Sequence, residues 1–248
     1  ITRWKDATVT ATGNNRLKMD GQIIDLESND DNPGGSGPGG AHMKFAGRMS
    51  IMNKGGSVSS RDTTLVLNEV DEATILFTAA TDYNLNKMNF DRDIDPDAEA
   101  ESIMARASKK SWKAIKEAHI SEHRSLFDRV SLDLGSSKQD TLPTDERLDS
   151  LKAGIADPGL IEQYFQYGRY LLMSSSRSPG RLPANLQGIW SNYRWAPWEA
   201  GYYLCINLQM NYWPADQCNL PPTLDPLIGW LKKLSESGSN TAERLYKA

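Results

Sequence analysis

The stretch from residue 182 to residue 220 constrains this chain most, because aromatic and amide side chains alternate along it with few charges between them. A pyranose offers apolar C–H faces that lie on aromatic rings, and its hydroxyls donate and accept hydrogen bonds as amides do. The stretch therefore predicts a carbohydrate site. A tryptophan-rich core, in which the amides satisfy buried backbone groups, fits the composition equally well. The aromatic residues are Trp190, Tyr193, Trp195, Trp198, Tyr202, Tyr203, Tyr212 and Trp213, and the amides are Asn185, Gln187, Asn192, Asn207, Gln209, Asn211, Gln217 and Asn219.

Composition narrows the class of ligand. The 248 residues have a formal net charge of -4 and a sequence pI near 5.5, so the chain has no basic footprint for nucleic acid or for an anionic membrane. No apolar run reaches the length of a membrane-spanning helix. Cys205 and Cys218 match no zinc spacing and are predicted to be free, buried thiols. The sequence thus predicts a neutral ligand, with no metal, no cofactor, no nucleic acid and no membrane as partners.

The two ends of the sequence look internal. The first residues, ITRWKDATVT, begin without methionine and lack the regions of a signal peptide, and the last predicted helix has no capping signal. We therefore expect a piece of a longer protein, with the remainder of that protein as its partner. The compartment stays open, with export as one option.

The first third of the chain has the pattern of β-strands. Alternating β-branched residues on either side of Gly13-Asn14-Asn15 predict a hairpin. In MKFAGRMSIM (43–52), Phe45, Met49 and Ile51 fall on one face, whereas Lys44, Arg48 and Ser50 fall on the other. Half-exposed and buried strands together predict part of an antiparallel β-sandwich. The glycine-rich stretch at 29–42 lacks the ending of a phosphate loop and is predicted to be a surface loop.

From Asp95 onward the apolar period becomes helical. Two helices broken near 109–111 are predicted, then a short strand at 130–135 and an amphipathic helix opened by Asp157-Pro158. That last helix is expected to turn Leu160, Tyr164, Tyr167, Leu171 and Leu172 inward. Residues 199–213 predict a buried helix that is apolar nearly all round, and a further amphipathic helix begins near 222.

The helical region contains His119-Ile120-Ser121-Glu122-His123, formally the H-x-x-E-H pattern of some zinc peptidases. The two histidines share a helix face, but a third ligand would have to come from elsewhere in the chain. Five-letter patterns often match by chance. A solvated helix face is the favoured interpretation.

Several segments carry a family resemblance. Asn185-Leu186-Gln187-Gly188-Ile189-Trp190, Pro197-Trp198 and the run from Ile206 to Ala215 resemble the signature region of glycoside hydrolase family 95, the inverting α-L-fucosidases. HRSLFDRVSLDLG, LPTDERL and QYFQYGRYLLMSSSR are similar to the linker and the first barrel helix of that family. The resemblance covers essentially the whole chain.

The resemblance implies a mixed β and α multidomain fold. Residues 1–92 would be the C-terminal part of an N-terminal β-sandwich, residues 93–142 a helical linker, and residues 143–248 the opening helices of an (α/α)6 barrel. It also implies removal of terminal α-L-fucose, typically α1,2-linked, from an oligosaccharide or glycan. Inversion at the sugar requires an acid for the leaving oxygen and a base that acts on water.

The resemblance also assigns residues. In this family two asparagines of an Asn-x-Asn pair position the water; the second corresponds to Asn207 and the first to Cys205, whose thiol cannot replace an amide carbonyl. Tyr203 corresponds to a sugar-contacting position that is commonly histidine or threonine. The catalytic glutamate and the activating aspartate are expected beyond Ala248, and for the nearer Glu199 and Asp216 structural contacts are favoured. The residues expected to shape the sugar pocket are Trp190, Trp198, Tyr203 and Gln187.

Three alternatives remain open at this stage. An α-L-galactosidase of the same family is one, since L-galactose differs from L-fucose only by a hydroxyl at C6. A carbohydrate-binding relative that lost its water-activating pair at Cys205 is another. A sugar phosphorylase is the third, by analogy of architecture alone, and no basic cluster near the aromatic stretch favours it.

Overall fold

The structure is a computed structural model that describes residues 6–25, 40–193 and 196–247. Most of the glycine-rich stretch for which a surface loop is predicted (29–42) lies outside these ranges. The chain divides into two compact units, Ile1–His119 and Ile120–Ala248. The strands, all in the first unit, are β1 Ala7–Thr12, β2 Arg16–Asp25, β3 Gly40–Lys54, β4 Ser57–Arg61, β5 Thr64–Asn68, β6 Glu72–Thr81, β7 Tyr83–Asn84 and β8 Asn89–Phe90.

The main element of the first unit is a four-stranded antiparallel sheet in the order β1-β2-β3-β6. The predicted hairpin at its edge is confirmed, with Thr12 opposite Arg16 and Gly13 at a φ of +66° in the turn, a conformation that glycine adopts without steric cost. β4 pairs with β5, and β7 pairs with β8, as separate two-stranded ladders.

One face of this sheet is covered by helix α1, Pro96–Ala107. The Thr78 hydroxyl donates to the carbonyl of Ala100 at 3.0 Å, and Arg48 and Ser50 are both only 3% exposed. The alternation in β3 was therefore right, but the polar side of the strand is not a solvent face. Its arginine is buried because acidic side chains meet it there.

Three carboxylates surround Arg48. Its guanidinium donates to Asp20 Oδ1 at 2.7 Å and to Asp97 Oδ1, and its Nε lies 3.1 Å from Glu101 Oε1. Burial by itself lowers the pKa of Arg48, but the hydrogen bonds to Asp97 and Asp20 outweigh it, and the pKa is raised. The arginine is held as a cation, and it ties α1 to the sheet.

The remaining helices follow the predicted order, with some differences. α1 and α2 are separated near 109–111 as predicted, and α4 begins at Pro158 as predicted. The prediction of a strand at 130–135 is wrong. The backbone N–H of Leu134 instead donates a hydrogen bond to the carboxylate of Glu162 in α4. The helices after α1 are α2 Trp112–Phe127, α3 Thr144–Lys152, α4 Pro158–Ser175, α5 Asn207–Tyr212, α6 Pro214–Gln217 and α7 Leu224–Thr241.

The start of α4 is fixed by a buried ion pair. Asp157 accepts the backbone N–H of Leu160 at 3.0 Å, as an N-cap does, and Arg147 donates two hydrogen bonds to its carboxylate at 2.8 and 2.6 Å. These bonds from Arg147 lower the pKa of Asp157. Along α4, Leu160 and Leu172 are buried as predicted, but Tyr164 and Tyr167 are exposed, at 78% and 55%.

The second unit has a small apolar core built from Leu126, Met173, Cys218 and Leu220. Beside it, buried Arg169 donates to the carbonyls of Leu126, Phe127 and Val130 and so caps the end of α2. Burial lowers the pKa of Arg169. Both cysteines are free, and Cys218 is buried in this core as predicted. The prediction that Cys205 is buried is wrong, because it lies in the exposed segment before α5.

The antiparallel sheet and the helices confirm the mixed β and α class. The β-sandwich, the helical linker, the (α/α)6 barrel and the domain boundaries at 92 and 142 stay predictions. Within the described ranges, every helix is too short or too polar to cross a bilayer.

Candidate functional site

A cavity of about 560 Å³ opens in the second unit, within the size range of small-molecule sites. Helix α4 contributes Tyr167, Tyr170 and Ser175 to its wall, and α5 contributes Asn211. The loop that follows α4 supplies the rest of the polar lining, with Asn185, Gln187, Gly188 and Trp190. The side chains named here are all neutral, and they combine aromatic faces with amides and hydroxyls. That chemistry suits a neutral, hydroxyl-rich ligand.

The loop is shaped by a tight turn. Asn185 and Gly188 exchange backbone hydrogen bonds at 3.0 and 2.9 Å, and the Asn185 side chain accepts the N–H of Gln187 at 2.7 Å. Gly188 has a φ of +69°, and a Cβ on it would come within 2.8 Å of the Trp190 ring. Only glycine fits there without a shift, because its missing side chain lets the indole lie against the backbone.

Two neighbouring residues of α5 hold this loop. Asn211 donates its side-chain amide to the carbonyl of Asn185 at 3.0 Å. The Tyr212 hydroxyl accepts the N–H of Ala184 at 2.8 Å and lies 2.6 Å from the hydroxyl of Ser176, which itself donates to the carbonyl of Thr223. Burial raises the pKa of Tyr212. The phenol therefore stays neutral and acts as a fixed junction of hydrogen bonds.

The segment before α5 differs most from its prediction. A helix over 199–213 is wrong, since α5 contains only Asn207–Tyr212. Five residues before it, none of them glycine, have positive φ, which a continuous helix cannot contain. α5 is also not buried all round, because Met210 and Asn207 are exposed. The five residues are Trp198, Glu199, Ala200, Tyr203 and Ile206.

This segment positions four of the predicted site residues. The Trp198 and Tyr203 rings meet edge to face, with centroids 6.3 Å apart. The N–H of Asn207 donates to the carbonyl of Cys205 at 3.0 Å, and the N–H of Leu208 donates to the carbonyl of Tyr203 at 3.2 Å. Trp198, Tyr203, Cys205 and Asn207 are all exposed.

The structure thus sorts the predicted residues into two groups. Gln187 and Trp190 lie together in the wall of the cavity. The described lining does not include Trp198, Tyr203, Cys205 or Asn207. The first three lie in the segment before α5, and Asn207 is the first residue of α5. Sequence reasoning missed two tyrosines of α4 that line the cavity. Tyr167 was placed on the apolar side of the helix, and Tyr170 was not singled out by the helical pattern. Sequence reasoning also missed Tyr212, for which the only signal was a tyrosine inside the amide-rich motif.

The side chains of the H-x-x-E-H segment make contacts that stabilise the helical region. Arg177 donates two hydrogen bonds of 2.6 Å to the carboxylate of Glu122, and the His123 ring stacks on Phe127 at 5.0 Å. In the described part of the chain, histidine, cysteine and acidic side chains nowhere form a group of three that could hold a metal ion.

A family sequence model matches the helical part of the chain. Residues 111–248 match the glycosyl hydrolase family 95 catalytic domain. The match spans more than half of the chain, so the chain belongs to glycosyl hydrolase family 95. This confirms the resemblance that the aromatic and amide motif predicted.

Three curated proteins that are similar to this chain have names that fit this family. Alpha-L-fucosidase 2 of Arabidopsis thaliana is 39% identical over 214 residues, which cover 83% of this chain and 25% of the relative. Probable alpha-fucosidase A of Aspergillus niger is 33% identical over 218 residues, covering 82% and 27%. Probable alpha-fucosidase A of Aspergillus oryzae is 34% identical over 173 residues, covering 68% and 23%. The chain therefore spans about a quarter of the length of these relatives.

Proposed function

We propose that the protein to which this chain belongs is a glycoside hydrolase that removes terminal α-L-fucose from oligosaccharides or glycans. The observation that supports this most directly is the cavity beside α4 and α5, lined by aromatic rings, amides and a hydroxyl in a member of family 95. The names of the similar proteins, alpha-L-fucosidase and probable alpha-fucosidase, agree with that substrate. We further propose that the bond cleaved is α1,2-linked and that hydrolysis inverts the anomeric carbon.

Inversion requires water to attack the anomeric carbon from the face opposite the leaving oxygen, while an acid protonates that oxygen. Asn207 is proposed to orient the water. It begins α5, its side chain is exposed, and its backbone is fixed by Cys205. Cys205 occupies the first position of the pair, where its thiol contributes weaker hydrogen bonding than an amide. The general acid and the activating aspartate are assigned to other parts of the protein.

The remaining site residues are proposed to bind the sugar. Trp190 and Gln187 line the cavity directly. Trp198 and Tyr203 form an exposed aromatic pair just before the residue that orients the water, where a ring can lie against the apolar face of a fucose. Tyr203 is the residue proposed to distinguish fucose from L-galactose, because it differs from the commoner residues of the family.

The decisive experiment is Asn207→Ala in the full-length protein. We expect kcat on nitrophenyl α-L-fucoside to fall about 100-fold or more, as when a proton-transfer arrangement is lost, with a much smaller change in fucose binding measured by calorimetry. Gln217→Ala, an exposed amide on α6, is the matched control and should leave kcat unchanged. Equal losses in kcat and in binding would sink the role of Asn207. Parallel assays on the L-galactoside decide which sugar is preferred.

Cys205 favours one further candidate function, a carbohydrate-binding protein without catalysis, because an exposed thiol stands where the amide of the pair is expected. Cys205→Asn distinguishes the two functions. A protein that hydrolyses fucosides without the change supports the proposal. A protein that binds fucose but gains hydrolysis only with Asn at this position would show that the natural protein is a binding relative.

A further inference from the structure

Positive charge is concentrated in the first unit, where α2 begins. Four of the eight residues at 109–116 are lysines and none is acidic, although the whole chain has a net charge of -4. These lysines are exposed, and the indole of Trp112 between them is 59% exposed. We call this set the lysine–tryptophan surface. Its members are Lys109, Lys110, Trp112, Lys113 and Lys116.

Most of these charges are not neutralised by the fold. Lys109, Lys110 and Lys116 form no ion pair with any other described residue. Lys113 lies 3.9 Å from Glu117, but an exposed pair of this kind contributes little. Helix stability does not explain the lysines either, because cations are unfavourable near the positive N-terminal end of a helix. The charges are therefore available to a partner of negative charge.

The backbone holds the tryptophan and the lysines of α2 next to each other. The Ser111 hydroxyl accepts the N–H of Ala114 at 3.2 Å and so caps the start of the helix. Trp112 and Lys116 are four residues apart in α2, so their side chains are neighbours on the helix surface. Lys113 and Lys116, three residues apart, are neighbours in the same way. An aromatic ring and two ammonium groups can thus contact the same ligand.

This combination distinguishes between classes of polyanion. A uronate offers an apolar pyranose face to the indole and a carboxylate to an ammonium group. Recognition of nucleic acid relies on arginine for bidentate contacts, and residues 109–116 contain no arginine. Insertion into a membrane requires a broad apolar face, whereas this segment exposes Trp112 as its large apolar side chain and Ile115 is half-buried.

We propose that the lysine–tryptophan surface binds an acidic polysaccharide, a glycan chain that contains uronate residues. None of its members belongs to the described lining of the cavity beside α4, and binding there requires no catalysis. In a protein that removes fucose, such a surface would hold the enzyme on a polymer that carries its substrate. The binding stands or fails separately from the proposed hydrolysis.

The test combines Lys110→Gln, Lys113→Gln and Lys116→Gln in the full-length protein, with polygalacturonate as the probe in calorimetric titrations. We expect the association constant at low salt to fall roughly tenfold, as for the loss of three exposed charge contacts. The difference from the natural protein should shrink as salt is added, because salt screens exposed charges.

Trp112→Ala should weaken the association roughly three- to tenfold by removing the aromatic contact. Trp112→Phe keeps a ring and should retain most of the affinity. An association constant that is equal in Trp112→Ala and in the natural protein would overturn the proposal, since the surface would then attract polyanions by charge alone.

The matched control combines Lys54→Gln, Lys138→Gln and Lys152→Gln, which remove the same charge from exposed lysines elsewhere in the chain and should leave the affinity unchanged. An equal loss in this control, or no loss in either triple variant, would overturn the proposal. Tighter association with a DNA duplex or with phosphatidylserine vesicles than with polygalacturonate would also overturn it, because the surface would then serve another class of polyanion.

Discussion

The buried polar groups between the sheet and α1 in the first unit differ from those around the cavity of the second unit. The sheet unit encloses a cation, Arg48, among Asp20, Asp97 and Glu101. The helical unit uses neutral groups around its cavity, where the Tyr212 hydroxyl and the Asn211 amide hold the loop. Its own buried ion pair, Arg147 with Asp157, fixes the start of α4 and is not part of the cavity lining.

This difference indicates that the two sets of polar groups have different roles. A buried charge has to keep its partner, since an unpaired ion in a protein interior is very unfavourable. Hydroxyls and amides both donate and accept, and the desolvation penalty for one of them is smaller. The sheet unit is therefore built for structural specificity, whereas the neutral lining of the helical unit can exchange its partners for the hydroxyls of a sugar.

We expect Arg48→Met to have the largest effect on stability, and it tests the difference between the two units. The change removes a buried cation that ties α1 to the sheet, and it should destabilise the sheet unit by about 3 kcal/mol. This is the lower end of the range for broken buried ion pairs, because the carboxylates that pair with Arg48 are half exposed. Hydrogen exchange followed by mass spectrometry should show faster exchange in β2, β3 and α1. Arg16→Met, an exposed pair with Glu101, is the control and should change stability by less than about 1 kcal/mol. Similar acceleration in α4 and α5 would contradict the division between the units.

A smaller effect is expected from Tyr212→Phe in the helical unit. The change leaves the N–H of Ala184 without its acceptor, which should lower the free energy of unfolding by about 1–2 kcal/mol. Because the same hydroxyl positions the loop, KM for the fucoside should also rise more than kcat falls. Calorimetry and steady-state kinetics measure the two effects. Tyr164→Phe, on an exposed part of α4, is the control, and a loss confined to stability would show that Tyr212 does not position the site.

The smallest effect is a pH dependence in the sheet unit. Hydrogen bonds from Lys87, then from Asn84 and the N–H of Asp93, lower the pKa of Asp91 to about 2. Since an unperturbed aspartate has a pKa near 3.9, the ionised carboxylate stabilises the folded state above about pH 4, and this contribution is lost as the pH falls towards 2. Asp91→Asn should therefore lower Tm at pH 6 and converge with the natural protein near pH 2.

Asp149→Asn is the matched change in the helical unit, where Asp149 forms an exposed ion pair with Lys152. Exposed pairs of this kind contribute little, so its Tm should follow that of the natural protein from pH 6 to pH 2. A difference as large as that of Asp91→Asn would show that both units depend on carboxylates to the same extent.

Local patterns predicted the sheet well. The Gly13 turn and the alternation in β3 depend on neighbours in sequence, and both were correct. The burial of Arg48 could not be predicted, because its partners Asp97 and Glu101 lie about fifty residues away and only the folded chain brings them together. When polar and apolar residues alternate along a strand, the polar face is predicted to contact solvent unless buried partners for its side chains are known.

The sequence predicted some of the residues of the candidate site, but it did not predict the backbone conformation around them. The motif singled out Gln187 and Trp190, which do line the cavity. It also suggested one helix through Tyr203 and Ile206, because an apolar run without proline has no visible helix breaker. Positive φ at these residues depends on bonds such as that from Leu208 to the Tyr203 carbonyl. Positive φ is uncommon for residues other than glycine, so the residue types gave no signal for this backbone.

The left-handed backbone of Trp198, Glu199, Ala200, Tyr203 and Ile206 has a consequence for protein engineering. Residues with side chains keep this conformation only while their surroundings enforce it, at a cost of about 1–3 kcal/mol each. Transplanted into another scaffold, the segment would relax towards ordinary helix or extended chain, and Trp198 and Tyr203 would separate. The specificity of this loop therefore cannot be transferred as a peptide graft, and any useful chimera has to carry over α5 and the Asn185–Gly188 turn with it.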